Sequence, residues 1–217
     1  MTSRANSVLT SAREAASLAA DGLVDAAERF YLERGLPPTF HLSPATVPPG
    51  LDALLAGRRY TREKPSEVWT AEACLVESRS RSGSTPGDLL LRPEPDSAWF
   101  DCAFDDPPDR RPIHEGIVGR IDRPRLFASV RLDDAAIACG LGVSDTGWTG
   151  IYAMATRPDH RGRGLATRIL HALARWADEH GDTRLYLQVL AENPARRLYR
   201  RRGFALAYPY HYRVRRT

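Results

Sequence analysis

The stretch that decides the fold is MATRPDHRGRGLATRILHALARWADEHG, residues 154 to 181, which joins a glycine- and arginine-rich loop to an amphipathic segment. Large apolar residues recur there at intervals of four, four and three residues: Leu165, Ile169, Leu173 and Trp176. This spacing predicts a helix that packs one side on a sheet and ends at Gly181.

The start of this predicted helix has the chemistry of an anion-binding site. The first N–H groups of a helix lack intrahelical acceptors, and the helix dipole adds about half a positive charge there. Gly162 and Gly164 let the backbone approach a ligand closely, while Arg161 and Arg163 add positive charge. The loop therefore predicts a site for phosphate groups, with a plain tight turn as the structural alternative.

Two familiar phosphate motifs do not fit this loop. A nucleotide-triphosphate loop needs Gly-Lys followed by Ser or Thr, whereas Leu165 follows Gly164. A dinucleotide fingerprint needs Gly or Ala where Thr167 stands, and the chain holds no further βαβ repeats, although Glu192 could serve as its acid.

Strand patterns surround the helix. Residues 125–132, 135–143 and 148–156 are strand-like runs separated by turn residues, which predicts an antiparallel meander. Residues 183–190 form a nearly unbroken apolar run, typical of a strand buried on both faces and parallel to its neighbour. The predicted fold class is therefore α/β (α+β), with a mixed, mostly antiparallel sheet and a central βαβ unit over residues 148–190.

Two motifs together carry a family resemblance. RGRGLA, residues 161–166, has Arg161, Gly164 and Ala166 at the spacing Q/R-x-x-G-x-G/A, and it resembles the pyrophosphate loop of the GNAT superfamily of acyl-CoA-dependent N-acyltransferases. LYLQVLAENPARRLYRRRGF, residues 185–204, follows at the expected distance and is similar to the family's strand, asparagine, short helix and Gly-Phe turn. The resemblance covers residues 120–214 well and residues 76–119 loosely.

The resemblance implies a GNAT fold with two splayed strands and an N-acetyltransferase that uses acetyl-CoA as cosubstrate and no metal. It implies direct transfer to a primary amine, either a small molecule or a peptide N-terminus, in a ternary complex. A strand bulge would hold the acyl thioester; the matching residues are Met154, Ala155 and Thr156. The pyrophosphate would lie on the backbone N–H groups of Arg161, Gly162, Arg163, Gly164, Leu165, Ala166 and Thr167. Asn193 would lie beside the pantetheine arm, with a helix N-cap as the structural alternative.

Tyr199 is the candidate catalytic residue. Ala195, Leu198 and Tyr199 share one face of the predicted short helix, so the tyrosine points inward. The resemblance implies a position near the cofactor sulfur, where a phenol can stabilise or protonate the departing thiolate. The alternative is a core aromatic residue whose hydroxyl is hydrogen-bonded.

The acceptor side of the reaction is less defined. An alkylamine with a pKa near 10.4 is about one part in a thousand neutral at pH 7, which corresponds to roughly 4 to 5 kcal/mol. Candidate bases are Glu192, Asp145 and Glu115, each also suited to a surface or capping role. Aromatic residues that could line the acceptor pocket, or else belong to the core, are Trp99, Trp148, Tyr152, Tyr208, Tyr210 and His211.

The first part of the chain repeats the order of the last part. Residues 39–69 and residues 184–214 both read as strand, loop, short helix, arginine-rich turn with an aromatic residue, and strand, with Tyr60 near the place of Phe204. We therefore expect residues 1–75 to be a degenerate half-GNAT subdomain and residues 76–217 to be the acetyltransferase domain. The first part has no counterpart of RGRGLA and should bind no cofactor. An unrelated helical extension is the alternative.

Composition limits the remaining classes of protein. The chain is 42% hydrophobic and 27% charged, and it holds neither an apolar run of about 18 residues nor a signal-peptide pattern at its start, which favours the cytoplasm. Cys74, Cys102 and Cys139 are far apart and odd in number, which predicts reduced structural thiols.

Arginines crowd the last 22 residues, so a non-catalytic acyl-CoA or nucleic-acid module is the alternative function. Few aromatic residues interleave with the arginines of residues 194–202, which argues against a nucleic-acid partner; the sequence does not define an oligomeric state.

Local patterns outside the meander give three more expectations. Residues 11–34 read as one or two helices, residues 78–88 as a loop or linker, and residues 105–116 as an irregular stretch.

Overall fold

A computed structural model describes residues 6–10, 20–80, 85–104 and 107–216. The helices are α1 (Ala20–Leu32), α2 (Leu51–Gly57), α3 (Ala73–Arg79), α4 (Ser97–Ala103), α5 (Arg111–Val118), α6 (Leu165–Glu179) and α7 (Arg196–Arg201). The strands are β1 (Val8–Leu9), β2 (Thr39–Leu42), β3 (Thr61–Glu72), β4 (Asp88–Arg92), β5 (Arg125–Leu132), β6 (Ala135–Asp145), β7 (Trp148–Thr156), β8 (Arg184–Leu190) and β9 (Ala205–Val214). No described helix is long and apolar enough to cross a membrane.

The chain divides into two compact units. The larger unit comprises Trp69–Gln188 and Pro194–Ala205, and the smaller unit comprises Met1–Val68, Val189–Asn193 and Leu206–Thr217. The chain therefore passes between the two units several times. The predicted division into a half-GNAT subdomain (residues 1–75) and an acetyltransferase domain (residues 76–217) is a separate matter and stays a prediction.

The sheet of the larger unit follows the order β8-β7-β6-β5-β4. Strands β4 to β7 are antiparallel neighbours, and β7 pairs with β8 in parallel through the crossover helix α6. The predicted mixed, mostly antiparallel sheet with a βαβ unit over residues 148–190 is confirmed.

Helix α6 packs closely because two glycines of β6 leave room beneath it. A Cβ atom on Gly140 would stand 2.7 Å from Cγ2 of Ile169, and one on Gly142 would stand 3.2 Å from Cδ2 of Leu173. Ile169 and Leu173 are fully buried, and each such side chain contributes about 1.5 to 3 kcal/mol of transfer free energy. This burial fixes the direction in which the N-terminus of α6 points.

A second hydrophobic cluster packs helix α4 on strands β5 and β6. Its buried residues are Trp99, Phe100, Cys102, Val118, Phe127, Ala136, Cys139 and Leu141. The indole Nε1 of Trp99 donates a hydrogen bond to the carbonyl oxygen of Gly140 at 3.2 Å. Trp99 is therefore a core residue with a satisfied donor, as in the structural alternative given for the aromatic residues.

In the smaller unit, β2 pairs with β1 in parallel and with β9 in an antiparallel ladder, and β9 lies between β2 and β3. The buried cluster beside these strands is Val24, Phe40, Leu42, Leu51, Leu55 and Tyr60. Three C-terminal arginines form ion pairs: Arg213 with Asp52, Arg215 with Glu28, and Arg216 with Glu63. These pairs neutralise part of the positive charge concentrated near the C-terminus.

Some sequence expectations differ from the structure. The stretch 105–116 is not irregular throughout, because α5 begins at Arg111 with proline in its first turn, where a missing N–H group costs nothing. Strand β8 is not buried on both faces, since Leu185, Leu187 and Val189 are buried while Tyr186 and Gln188 are half-buried. Helix α3 extends into the expected linker as far as Arg79, and residues 11–19 and 81–84 lie outside the described residues.

Candidate active site

The loop between β7 and α6 turns on two glycines in the left-handed backbone region. Gly162 has φ of 76° and Gly164 has φ of 80°, values that side-chain-bearing residues rarely adopt. Ahead of them, a short 3-10 turn at Pro158–His160 closes with the N–H of Arg161 donating to the carbonyl oxygen of Pro158 at 3.2 Å. The loop sequence therefore sets the entry into the helix.

Free backbone donors line the start of α6. The first helical hydrogen bond runs from the N–H of Arg168 to the carbonyl oxygen of Gly164 at 3.0 Å, and no side chain caps the helix at Gly164. Among the described residues, the N–H groups of residues 162–167 have no acceptor. The amide of Arg161 is used in the turn, so the free donors begin one residue later than the predicted cradle. Six unpartnered amides at the positive end of a helix dipole form an anion site.

Arginine side chains surround these donors. Arg161 folds back so that its Nε donates to the carbonyl oxygen of Thr156 at 3.3 Å. Within the described part of the chain, the structure records no ion pair for Arg157, Arg161 or Arg163, and the first turn of α6 holds no acidic residue. The potential at the loop is therefore positive, because the three arginines outnumber Asp159, the acidic residue of the 3-10 turn.

Strand β7 carries a bulge just before the loop. In its ladder with β6, Leu141 faces Tyr152 and Cys139 faces Ala155, so two residues of β7 oppose Gly140 alone. These two residues are Ala153, with φ of 49°, and Met154. The bulge thus begins one residue before the matched positions Met154, Ala155 and Thr156.

Strands β7 and β8 pair over only part of their length. Their parallel register runs from Trp148 opposite Arg184 to Ile151 opposite Leu187. Residues 152–156 of β7 continue beyond this register toward the loop. The segment that contains the bulge is therefore outside the β7 and β8 ladder.

Tyr199 lies on the buried face of α7, and its side chain is 7% exposed. Its ring meets Phe204 edge to face at a centroid distance of 5.9 Å. Burial raises the pKa of Tyr199 to about 12, so the phenol is protonated at neutral pH. No described residue hydrogen-bonds its hydroxyl, which leaves the proton available to a ligand.

Helix α7 is held by an aromatic residue under its arginines. The guanidinium carbons of Arg196 and Arg200 lie 5.9 and 5.7 Å from the ring centroid of Trp69. Gly203, which follows the helix with φ of 103°, packs against Leu75, whose side-chain carbons would stand 3.0 Å from an added Cβ. These contacts fix the helix that carries Tyr199.

Asn193 lies in the turn after β8 and is exposed, and its N–H donates to the carbonyl oxygen of Leu190 at 2.9 Å. Helix α7 begins at Arg196 with Ala195 at the N-cap. The N-cap role and the position beside a cofactor arm both stay predictions for Asn193, which lies two residues before Ala195.

Two tyrosines form a polar pair on β7 and β8. The hydroxyl groups of Tyr152 and Tyr186 hydrogen-bond each other, with ring centroids 6.0 Å apart. A Cβ on Gly150 would stand 2.5 Å from the Tyr152 hydroxyl, so this glycine makes room for the ring. Trp148 meets Tyr186 at 6.4 Å. The sequence pattern alone does not single out Tyr186, because its nearness to Tyr152 depends on the register of two strands separated by α6.

The remaining aromatic candidates occupy other places. Tyr208 is exposed, and Tyr210 is buried in a cluster of the smaller unit with Val68 and Tyr212. The Nε2 atom of His211 lies 3.1 Å from a carboxylate oxygen of Asp52. His211 and Tyr210 are thus part of the packing and ion-pair network of the smaller unit.

The three carboxylates named as candidate bases have ordinary surroundings. Asp145 lies 3.7 Å from Arg123 and faces Trp148, at the opposite end of β7 from the bulge. At about 3.3 Å per residue, that separation is roughly 20 Å. Glu115 lies 3.7 Å from Arg111, and Glu192 is exposed. Asp145 and Glu115 are therefore ion-pair carboxylates. Among the described residues, no group of three or more His, Cys, Asp or Glu side chains is placed to hold a metal ion.

Comparisons with known proteins agree with this geometry. The model of the acetyltransferase (GNAT) family matches residues 89–204. An uncharacterized N-acetyltransferase of Bacillus subtilis, YobR, is 32% identical over 220 residues, covering 100% of this chain and 87% of that protein.

Solved structures give the same fold. A GCN5-related N-acetyltransferase from Sphaerobacter thermophilus superposes with a TM-score of 0.65 at 18% identity, over 90% of this chain and 67% of that one. A tandem GNAT protein from the clavulanic acid biosynthesis pathway superposes with a TM-score of 0.69 at 15% identity, over 90% of this chain and 69% of that one.

Proposed function

The chain belongs to the GNAT family of acetyltransferases, and from that premise we propose that it transfers an acetyl group from acetyl-CoA to a primary amine. The transfer is direct, within a ternary complex. The acceptor is a small-molecule amine or a peptide N-terminus, and the reaction takes place in the cytoplasm, consistent with three cysteines that are all free thiols.

One observation carries this proposal: the row of unpartnered amides at residues 162–167, directly after a bulged strand. A diphosphate offers several anionic oxygens, and backbone amides at a helix N-terminus bind such groups without a conformational cost at the moment of binding. Arg157, Arg161 and Arg163 add positive charge around the same loop. Acetyl-CoA brings the diphosphate and, at its other end, the reactive thioester.

The bulge supplies the second half of the cofactor site. Ala153 and Met154 share a single partner on β6, so the regular ladder is interrupted where β7 has also passed the end of its register with β8. Backbone groups freed by a bulge can bind a carbonyl oxygen. We assign the thioester to this segment, with Met154, Ala155 and Thr156 along it and Asn193 beside the pantetheine arm.

Tyr199 acts as the acid in this scheme. The amine nitrogen forms a bond to the acetyl carbon while the bond from that carbon to sulfur breaks, and the sulfur leaves as a thiolate. A phenol whose pKa is about 12 stays protonated and can donate its proton or a hydrogen bond to that thiolate. The absence of a partner for this hydroxyl among the described residues supports the role.

Tyr152 and Tyr186 supply a surface for the acceptor. Their paired hydroxyls are polar groups among the apolar residues of β7 and β8, with Trp148 beside Tyr186. A phenol pair can accept a hydrogen bond from an amine and pass its proton to water. We therefore assign amine binding to this pair rather than to Asp145 or Glu115.

Residues 1–75 are proposed to be a degenerate half of a second GNAT unit. The turn after α2 repeats the hydrogen bonds of the turn after α7: Tyr60 N–H donates to Leu55 O at 3.0 Å, and Phe204 N–H donates to Tyr199 O at 3.1 Å. Arg59, with φ of 63°, stands where Gly203 has φ of 103°. The same turn also follows α1 and α6, so it is a common helix ending, and the proposal rests on the shared order of strand, short helix, turn and strand.

This correspondence explains why one half would be inactive. Leu55 stands where Tyr199 stands, so the N-terminal half has no phenol, and it has no counterpart of residues 161–166. One structural neighbour is a tandem GNAT protein, which supports this proposal. Residues 76–217 then form the complete acetyltransferase domain.

A thiol-release assay tests the proposed function. Purified protein is mixed with acetyl-CoA and a panel of small amines and short peptides, and free coenzyme A thiol is measured with time. We expect saturable release that depends on one class of amine and survives replacement of Cys74 by Ser. Absence of release over the whole panel, with acetyl-CoA binding intact, would support the alternative of a non-catalytic acyl-CoA module.

A further inference from the structure

An open cavity lies in the smaller unit, and none of its lining residues is assigned to acetyl transfer. Its volume is about 320 Å³, near the lower end of the range of small-molecule sites, which is about 300 to 1,000 Å³. The lining comes from the end of β2 and the loop after it, the start of α2, the start of β3 and the middle of β9. All of these residues belong to the smaller unit.

The wall of the cavity is mostly apolar and has a fixed shape. Leu42, Leu51 and Tyr210 are buried side chains of the unit's core, and the Tyr210 ring stacks on His41 with centroids 4.6 Å apart. Proline side chains lock their own backbone angle φ. A wall that is formed in advance lowers the entropic cost of binding. The apolar lining residues are Leu42, Pro44, Pro48, Leu51, Pro209 and Tyr210.

Two hydroxyl groups of the lining are used to shape the loop after β2. The N–H of Ser43 donates to Oγ1 of Thr46 at 2.8 Å, and the N–H of Ala45 donates to Oγ of Ser43 at 3.3 Å. The N–H of Thr46 donates to the carbonyl oxygen of Ser43 at 3.0 Å. These bonds hold the polar side of the cavity in place.

The negative charge of the lining is already balanced. One carboxylate oxygen of Asp52 accepts a hydrogen bond from Nε of Arg213 at 2.7 Å, and it lies 3.1 Å from Nε2 of His211. The hydrogen bond from Arg213 is the main reason that the pKa of Asp52 is below its ordinary value, so the carboxylate is ionised at neutral pH. Asp52 and Arg213 therefore form a neutral pair.

The positive charge of Arg62 is not balanced in this way. Within the described part of the chain, the structure records no ion pair or side-chain hydrogen bond for Arg62. The neighbouring carboxylate of Glu63 accepts from Nε and Nη2 of Arg216, each at 3.0 Å. A guanidinium carries five N–H donors in a planar fork that matches the two oxygens of a carboxylate. The cavity thus offers one free cation beside an apolar wall.

We propose that this cavity binds a small monocarboxylate with an apolar or aromatic body, its carboxylate on Arg62 and its body against the leucine, proline and tyrosine wall. One free cation matches one negative charge. A dianion would bring a second charge close to Asp52 with no further free cation to offset it, and a small inorganic anion would leave the apolar wall unfilled. The site is thus a second ligand site, distinct in chemistry from sites for acetyl-CoA and an amine.

A titration of the full chain labelled with ¹⁵N tests the ligand class, with phenylacetate as the probe at up to about 5 mM. We expect saturable shifts of amide resonances around the cavity, including Gly50 and His211. Phenylacetamide has the same shape without the charge, and phenethylamine has the opposite charge, so both should bind about tenfold more weakly or less. No shift with phenylacetate, or equal affinity for the three compounds, would overturn the proposal. Inorganic phosphate binding as tightly as phenylacetate would overturn the requirement for an apolar body.

Arginine variants test the placement of the carboxylate. Arg62→Gln should weaken phenylacetate binding by about tenfold or more, because a charge-assisted pair is lost. Arg29→Gln is the matched control, since Arg29 is an exposed arginine on α1 of the same unit and does not line the cavity. Arg62→Lys keeps the charge but not the planar fork, so its affinity should lie between those of the unsubstituted protein and Arg62→Gln.

Circular dichroism checks that each variant is folded. Phenylacetate affinity that is unchanged in both Arg62 variants would overturn the proposal, and so would an equal loss in Arg29→Gln. These titrations contain no acetyl-CoA and measure no thiol release, so their failure is distinct from a failure of acetyl transfer.

Discussion

Met154 lies against Gly140, and the Sδ atom of the methionine would stand 2.7 Å from a Cβ added to that glycine. The glycine that lets α6 approach the sheet is therefore the same residue that faces the bulge. The packing of the helix and the shape of the bulged segment therefore both depend on the absence of a side chain at Gly140.

Gly140→Ala should damage both features. The added methyl meets Ile169 and Met154, each at 2.7 Å, and overpacking of this kind costs about 1 to 3 kcal/mol. We expect a lower free energy of unfolding in urea and weaker acetyl-CoA binding. Gly142→Ala on the same strand is the matched control, because its nearest atom is 3.2 Å away. If the two variants weakened acetyl-CoA binding equally, the shape of the bulge would not depend on Gly140.

Tyr199→Phe should lower kcat by about a hundredfold or more, because general acid catalysis contributes about that much. Acetyl-CoA affinity and stability should change little, since no described residue bonds the hydroxyl. Tyr208→Phe, at an exposed tyrosine, is the control. Steady-state kinetics and calorimetry provide the measurements, and an unchanged kcat would remove Tyr199 from the mechanism.

A plot of kcat against pH should rise and should show no decrease at high pH caused by ionisation of Tyr199. Because the pKa of Tyr199 is raised to about 12, its proton is retained across the range in which the amine loses its own. We expect kcat to increase from pH 7 to pH 10. A descending limb near pH 9 that disappears in Tyr199→Phe would show that the phenol ionises much earlier.

The raised pKa of Tyr199 also makes the stability of the fold depend on pH. A tyrosine whose folded-state pKa exceeds its unfolded value stabilises the fold fully below pH 10, and this contribution is lost as pH rises toward 12. Urea unfolding at pH 8 and pH 11 should therefore show a smaller loss of stability in Tyr199→Phe than in the unsubstituted protein. An equal loss in both proteins would contradict the buried, protonated phenol.

Tyr186→Phe and Tyr152→Phe should raise KM for the amine by about tenfold, the effect of losing one hydrogen bond to a charged group. The dissociation constant of acetyl-CoA should not change, because both rings lie on the side of β7 before the bulge. Kinetics at saturating acetyl-CoA test this. An unchanged KM in both variants would place the acceptor elsewhere.

The elements nearest the loop could be predicted because their signals are local. Strands β5 and β7 have the predicted bounds, and α6 begins at Leu165, since turn residues and helical spacing mark each end. The bulge position, the Tyr152 and Tyr186 pair, and the packing of Cys102 and Cys139 in one buried cluster depend on register and packing between distant segments. No spacing within one segment encodes them.

The order of strand, short helix and strand in the first part of the chain also follows from local signals. What the sequence alone does not show is the shared turn, in which Arg59 adopts a positive φ that glycine adopts at position 203. An arginine there would conceal the proposed repeat from a search for matching glycines. The equivalent hydrogen bonds to Leu55 and Tyr199 are consistent with that proposal.

Binding of acetyl-CoA to the loop amides is the central claim, and calorimetry on two glycine variants tests it most directly. Gly162 and Gly147 have φ of 76° and 82° and no atom within 4 Å of an added Cβ, so Gly162→Glu and Gly147→Glu carry similar backbone strain. Gly147 lies in the β6 and β7 hairpin, away from the loop. We predict that Gly162→Glu weakens acetyl-CoA binding at least tenfold while Gly147→Glu binds as the unsubstituted protein does. Equal affinities of both variants and the unsubstituted protein would contradict the claim.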